Sequence, residues 1–170
     1  SADGGVDNGG VLKLTTAVND QIGSFILNDL TAGTTNDTLT VAFMARVGEG
    51  TSPGADGFSF VWASDLADGP FGEDGAGSGL VVSFDTYDNG GGEAPAIDVR
   101  FNSTEVISRK VPAALLDTEG GFVPVNIRVE PDGTVDVVYD NQVVIYNAKL
   151  PGFQGLAGGR FGWGARTGGA

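Results

Sequence analysis

The run Ser83-Phe84-Asp85-Thr86-Tyr87-Asp88-Asn89-Gly90-Gly91-Gly92-Glu93 spaces oxygen donors in a way that suits a hard cation. Asp85 closes an apolar segment, and oxygen-bearing groups follow two and four residues later. A strand sends residues i and i+2 to the same face. Where the strand ends, the Tyr87 carbonyl is released from ladder pairing and can face a cation. Asn89 adds an amide oxygen, and Glu93 returns after a flexible glycine turn. Two carboxylates, one carbonyl, one amide and about two waters would fill the six- to eight-oxygen shell of Ca2+. The same residues read equally well as an acidic hairpin loop exposed to water.

Three further segments carry polar groups at positions that matter. Gly54-Ala55-Asp56-Gly57-Phe58 lies at the entry to an apolar run, and by spacing alone Asp56 caps a backbone N–H in a turn. The loop Asp68 to Gly79 is rich in glycine, which permits close backbone approach to a ligand with N–H groups as donors; otherwise it is a surface loop. It is no phosphate cradle, because no Gly-Lys-Ser/Thr and no helix follow it. Gly164-Ala165-Arg166-Thr167-Gly168-Gly169 is a strand end that runs into another glycine turn.

The elements that must position these groups follow from composition and period. The chain has 170 residues, with 29 Gly and 7 Pro. Glycine costs a helix roughly 1 kcal/mol per residue relative to alanine, so a helix bundle is excluded. At 41% hydrophobic the chain is too apolar for a disordered tail. Alternation marks strands at 11–15, 23–27, 38–47, 57–62, 80–86, 96–101, 125–130, 134–139, 143–147 and 160–165. Pro131-Asp132-Gly133 and Asp140-Asn141 are turns by their residue chemistry, so 125–147 forms an antiparallel meander. Pro112 to Leu116 is one helical turn at most. Short strands around one core predict an all-β fold: a two-sheet antiparallel β-sandwich or jelly roll, with residues 1–170 as a single domain.

Charge and missing residue types narrow the function. Nine Lys and Arg against 22 Asp and Glu give a net charge of −13. Such a surface repels phosphate backbones and anionic membranes, so neither is an expected partner. With no His and no Cys, zinc sites, Ser-His-Asp and Cys-His catalysis and disulfides are all excluded. No apolar run approaches the ~20 residues that span a bilayer. Ser1 opens no basic and apolar leader, so any signal peptide is expected to lie outside this sequence.

Taken in order, Ala55-Asp56-Gly57-Phe58-Ser59-Phe60, Val82-Ser83-Phe84-Asp85-Thr86-Tyr87-Asp88-Asn89 and Gly164-Ala165-Arg166-Thr167-Gly168 resemble the L-type, legume-lectin-like members of the concanavalin A-like superfamily. The resemblance spans roughly Gly10 to Ala170 and implies a calcium-dependent glycan-binding module. It implies that Asp56 accepts sugar hydroxyls after a cis Ala55–Asp56 peptide. It implies that Asp85, the Tyr87 carbonyl, Asn89 and a later acid, Glu93, hold Ca2+, with Asn89 also touching sugar. A backbone N–H of the glycine loop, from Gly75 or Gly77, would reach the sugar, as would the Arg166-Thr167 turn. Glu93 departs from the pattern: it falls one residue short and is Glu rather than Asp. The family's second, transition-metal site needs a Glu where Ser83 stands, and a His, so calcium without manganese is expected. Beyond Tyr87, Phe71 is the aromatic placed to stack on a sugar.

The resemblance further implies a bacterial, secreted or cell-surface setting inside a larger protein. Family members continue past this last turn into a final strand, so an edge that contacts another chain or domain is expected here. Two alternatives to a lectin follow from the same fold. One is a structural or adhesive spacer whose calcium only stiffens a loop. The other is a glycoside hydrolase, but its Glu-x-Asp-x-x-Glu pattern is absent around Asp85, so no enzyme is expected.

Overall fold

The computed structural model describes residues 2–3, 10–48, 50 and 54–168. Its elements in chain order are β1 (Ala2–Asp3), β2 (Val11–Leu12), β3 (Gln21–Leu27), β4 (Thr35–Asn36), β5 (Leu39–Ala45), β6 (Gly57–Ala63), β7 (Leu80–Asp85), β8 (Ala96–Phe101), β9 (Thr104–Lys110), α1 (Ala113–Leu116), β10 (Val123–Val129), β11 (Thr134–Tyr139), β12 (Gln142–Lys149), β13 (Leu156–Ala157) and β14 (Arg160–Thr167). A six-stranded sheet runs β3-β14-β6-β7-β8-β9, and a four-stranded sheet runs β12-β11-β10-β5. Every described pairing is antiparallel.

The sheets become a sandwich because alternate residues of each strand are apolar. Phe58, Phe60 and Trp62 of β6 and Val82 and Phe84 of β7 face Val125, Ile127 and Val129 of β10 and Val135, Val137 and Tyr139 of β11 in one continuous core. Side chains i and i+2 share a face, so each strand delivers its whole apolar set to the same side. Phe84 and Tyr139 bridge the sheets with ring centroids 5.5 Å apart. The Tyr139 hydroxyl, buried among these rings, donates to the Leu116 carbonyl at 3.1 Å.

A second, smaller core lies on the other face of the six-stranded sheet. The 64–79 loop folds back so that Leu66 and Phe71 pack on Val61, Ala63 and Val81. Phe71 covers β14 where glycine is obligatory: a Cβ on Gly164 would lie 2.2 Å from the Phe71 ring. Phe71 is therefore only 6% exposed and is no platform for a sugar, contrary to the sequence expectation. The ring is withdrawn by its own packing.

Three elements differ from the sequence reading. The strand expected over 11–15 is observed as β2, Val11–Leu12, paired with β1. Strand β9 was not expected. Its run Thr-Glu-Val-Ile-Ser-Arg-Lys does not alternate cleanly, as suits a largely solvated sheet edge. Its turn, Asn102-Ser103, has φ of 51° and 59° at both residues without the usual glycine. The late strand expected at 160–165 extends to Thr167 and lies inside the sheet, between β3 and β6. The helical turn after Pro112 forms as expected. No helix among the described residues is long and apolar enough to cross a membrane.

Candidate functional site

One register brings two of the singled-out segments together. Strands β6 and β7 pair with Gly57 opposite Asp85. Asp56, just before β6, and Thr86, just after β7, therefore meet at the same end of the sheet. The Thr86 N–H donates to the Asp56 carbonyl at 2.8 Å, and the Thr86 hydroxyl donates to the Gly54 carbonyl at 3.0 Å. On the other side β14 pairs with β6, with Arg166 opposite Gly57. The Asp56 N–H donates to the Arg166 carbonyl at 3.0 Å. The Ala55–Asp56 peptide is cis.

This lattice buries the Asp56 side chain to 3% exposure. Its Oδ2 accepts no hydrogen bond. The Arg166 Nε lies 3.3 Å from that oxygen, but its hydrogen goes elsewhere, to Glu73 Oε2 at 3.0 Å. The contact with Asp56 is thus charge against charge without a shared hydrogen. Burial pushes the Asp56 carboxyl above the usual range; the Arg166 charge opposes that, and Glu73 and Asp74 reinforce it. Gly168 stands directly over the carboxylate, where a Cβ would lie 2.8 Å from Oδ2. Only glycine fits so close to that oxygen.

In the strand-end loop the acids meet nearby backbone N–H groups. The Asp85 Oδ1 accepts the Tyr87 N–H at 3.1 Å. Glu93 reaches back across the Gly90–Gly92 turn, and its Oε1 accepts the Asn89 N–H at 2.5 Å. The Asn89 amide lies 3.5 Å from the Tyr87 carbonyl. Asp88, which the sequence reading gave no role, accepts the N–H groups of Gly90 at 2.8 Å and Gly92 at 3.1 Å. Burial pushes the Asp85 carboxyl up to about 6; the Tyr87 N–H opposes this, and Glu73, Asp98 and Asp74 add to it. The buried Glu93 Oε2 has no partner.

These donors fit a calcium ion. All are oxygens, two are carboxylates, and the field of neighbouring acids would be relieved by a divalent cation. Among the described residues no three acidic side chains converge on one point, so the carbonyl and the amide would complete the shell. The Ser83 hydroxyl, where the family places a transition-metal ligand, instead accepts from Arg100 Nη2 at 3.0 Å.

The remaining expected residues are placed differently from one another. Arg166 belongs to the Asp56 cluster, but its guanidinium grips Glu73. The Thr167 hydroxyl is spent on the N-terminal segment: it donates to the Val18 carbonyl at 2.6 Å and accepts from the Gln21 N–H at 3.0 Å. The Gly75 N–H closes a turn onto the Gly72 carbonyl at 3.1 Å. Gly77 packs against Ala63 and Asp65. Ala63 is the far end of β6, roughly 20 Å from Gly57 at about 3.3 Å per residue, so the structure does not bring Gly77 to Asp56. The part of the loop that does approach is Gly72 to Asp74. The Gly72 carbonyl accepts from the Ser59 hydroxyl at 2.7 Å, and Glu73 is buried to 4% exposure beneath it. Sequence reasoning missed Glu73; a lone acid in a glycine loop carries no signal until its arginine is located.

A sequence model of the legume-like lectin family matches residues 4–110. No match is found among curated protein sequences. Among solved structures, the exoplasmic/lumenal domain of VIP36 in its Ca2+/Man3GlcNAc-bound form is similar with a TM-score of 0.65 and 23% identity, covering 91% of this chain and 72% of that one. The same domain in its Ca2+/Man-bound form gives 0.61 and 21%, covering 92% and 70%. The carbohydrate recognition domain of Emp47p gives 0.60 and 21%, covering 91% and 73%. These likenesses show the fold, a β-sandwich of the same kind.

Proposed function

The chain belongs to the legume-like lectin family, and from that premise we propose that it is a calcium-dependent glycan-binding module. The observation that carries the reading is the pairing of Gly57 with Asp85. It sets a buried carboxylate with an unpartnered oxygen, Asp56, beside a loop whose oxygen donors suit calcium.

Asp85, the Tyr87 carbonyl, Asn89 and Glu93 would hold the ion. Bound calcium supplies the positive charge that fixes Asp85 and Asn89 in one arrangement. Asp56 then accepts the O–H of a sugar hydroxyl at Oδ2, where no protein donor competes. Asn89 supplies the amide for a neighbouring hydroxyl. Tyr87, 41% exposed, offers an apolar face to the C–H side of the ring. The Glu-x-Asp-x-x-Glu pattern of the hydrolases that share this fold is absent around Asp85, which favours a binding module over an enzyme.

VIP36 has been solved bound to mannose and to Man3GlcNAc, which makes mannose-containing glycans the first to test. Its domain is exoplasmic or lumenal, and this supports a setting outside the cytosol; a secreted or cell-surface parent protein fits the same reading. One such site binds weakly, on the order of 10⁻³ to 10⁻⁴ M, or roughly 4–5.5 kcal/mol. Calorimetry against mannose and an array of oligosaccharides, with calcium and with chelator, tests the proposal. Calcium-dependent binding is expected; a folded, calcium-saturated protein that binds no glycan refutes it.

A further inference from the structure

Glu73 has no place in the sugar-binding scheme above, yet it is among the most buried charged side chains described. It sits on the 64–79 loop and takes Arg166 in a two-pronged grip. The Arg166 Nε donates to Glu73 Oε2 at 3.0 Å, and Arg166 Nη2 donates to Oε1. The same guanidinium stands 3.3 Å from Asp56 Oδ2. An Nε has one hydrogen, so Glu73 and Asp56 compete for it, and Glu73 holds it.

We propose that Glu73 is a positioning residue for the glycan site: by taking the hydrogens of Arg166 it leaves Asp56 its cation but keeps its buried acceptor oxygen unpartnered, with its hydrogen-bonding capacity kept for a sugar hydroxyl. The inference rests on the glycan-binding reading of Asp56. Three observations support it. Asp56 Oδ2 is buried and unpartnered although a guanidinium is beside it. A buried carboxylate needs a nearby cation to stay ionised, and Arg166 supplies it without occupying the oxygen. The loop that bears Glu73 is anchored independently, by the Ser59 hydroxyl on the Gly72 carbonyl and by Arg100 on the Asp74 carbonyl. Its place does not depend on the Arg166 grip, so Glu73 can be changed with the loop still in position.

Neutralising Glu73 without altering its shape frees one guanidinium hydrogen, and the nearest waiting acceptor is Asp56. In Glu73→Gln, sugar affinity is expected to fall about tenfold, the scale of one hydrogen bond to a charged group. Calcium affinity, read by calorimetry in the same variant, is expected to change less than about twofold. Glu73→Asp, which restores the charge, recovers part of the sugar affinity. The readout that a merely structural role would not move is the Arg166 Nε–H resonance in heteronuclear NMR. In the native chain its protection from hydrogen exchange survives Asp56→Asn; in Glu73→Gln that protection is lost on the same change. Equal loss of calcium and sugar binding in Glu73→Gln, or unchanged sugar affinity, overturns the proposal. So does an Nε–H that loses its protection from exchange on Asp56→Asn in the native background, a comparison that decides the matter even if Glu73→Gln fails to fold. Were the native chain to bind no glycan, the glycan reading would fail on its own, while the Nε–H comparison would still report whether Glu73 holds Arg166 away from Asp56.

Discussion

Replacing Asp56 by Asn separates a glycan site from a structural turn. The change preserves shape and leaves the backbone pairings to Thr86 and Arg166 untouched, since both use main-chain atoms of Asp56. What it removes is a negative charge with an unpartnered oxygen at the candidate binding position. A hydrogen bond to a charged acceptor contributes about 1.5–3 kcal/mol, which corresponds to a loss of roughly 10- to 150-fold in sugar affinity. Stability should respond little. The carboxylate is buried, desolvation opposes its ionisation, and Oδ2 is hydrogen-bonded to nothing. Arg166 keeps Glu73 as its partner, so removing the Asp56 charge strands no cation and should be near neutral; a change of about 1 kcal/mol shifts the Tm of a domain this size by roughly 2–4 °C. The assay is calorimetric titration with saturating calcium beside thermal unfolding of both proteins. A variant that binds sugar within twofold of the native chain refutes the role given to Asp56. A fall in Tm above about 10 °C with sugar binding intact would make Asp56 a structural residue and favour a spacer.

Three other outcomes follow from the geometry. Asp85 titrates near 6 when folded against 3.8 for the free side chain, so between those values the folded chain holds the extra proton and stability falls as pH rises. Without calcium the penalty above pH 6 reaches at most about 3 kcal/mol, less after screening by solvent; calcium favours the ionised form, so the Tm difference between calcium and chelator is widest near pH 7 and closes towards pH 4. Gly164→Ala drives a methyl into the Phe71 ring and should destabilise by about 1–3 kcal/mol in a denaturant titration; an unchanged midpoint would show that Phe71 does not hold the loop down. Gly168→Ala sets a methyl 2.8 Å from Asp56 Oδ2 and should cost at least about tenfold in sugar affinity with the calcium affinity unchanged, both read by calorimetry.

The sequence was most legible where side-chain period and donor spacing coincide. The β10–β12 meander and the Asp85–Glu93 loop were readable because alternation and oxygen spacing are local properties. Tight contacts across the sheet were not. Phe71 reads as a loop aromatic, and only the glycines of β14, some ninety residues later, reveal that it is buried. Glu73 is silent for the same reason, because its partner Arg166 is distant in sequence and meets it only when β14 lies beside β6. Strand β9 escaped because an edge strand needs no strict alternation. Gly77 was a reasonable donor by composition, yet the loop runs along β6 and leaves it at the wrong end.

The site also explains why its two halves act together. Asp56 and the calcium loop share no side-chain contact among those described; they are joined by main-chain hydrogen bonds through Thr86. A shift of one residue in the β6–β7 pairing would turn Asp85 to the opposite face and move Thr86 off the Asp56 carbonyl. Val82 and Phe84 would be turned out of the core by the same slip, so the register that seals the core is the one that sets the carboxylates. Calcium held at Asp85 and Asn89, as proposed, would therefore act on the Asp56 position through backbone already held by core packing. The ion has to order the loop beyond β7, not create the site.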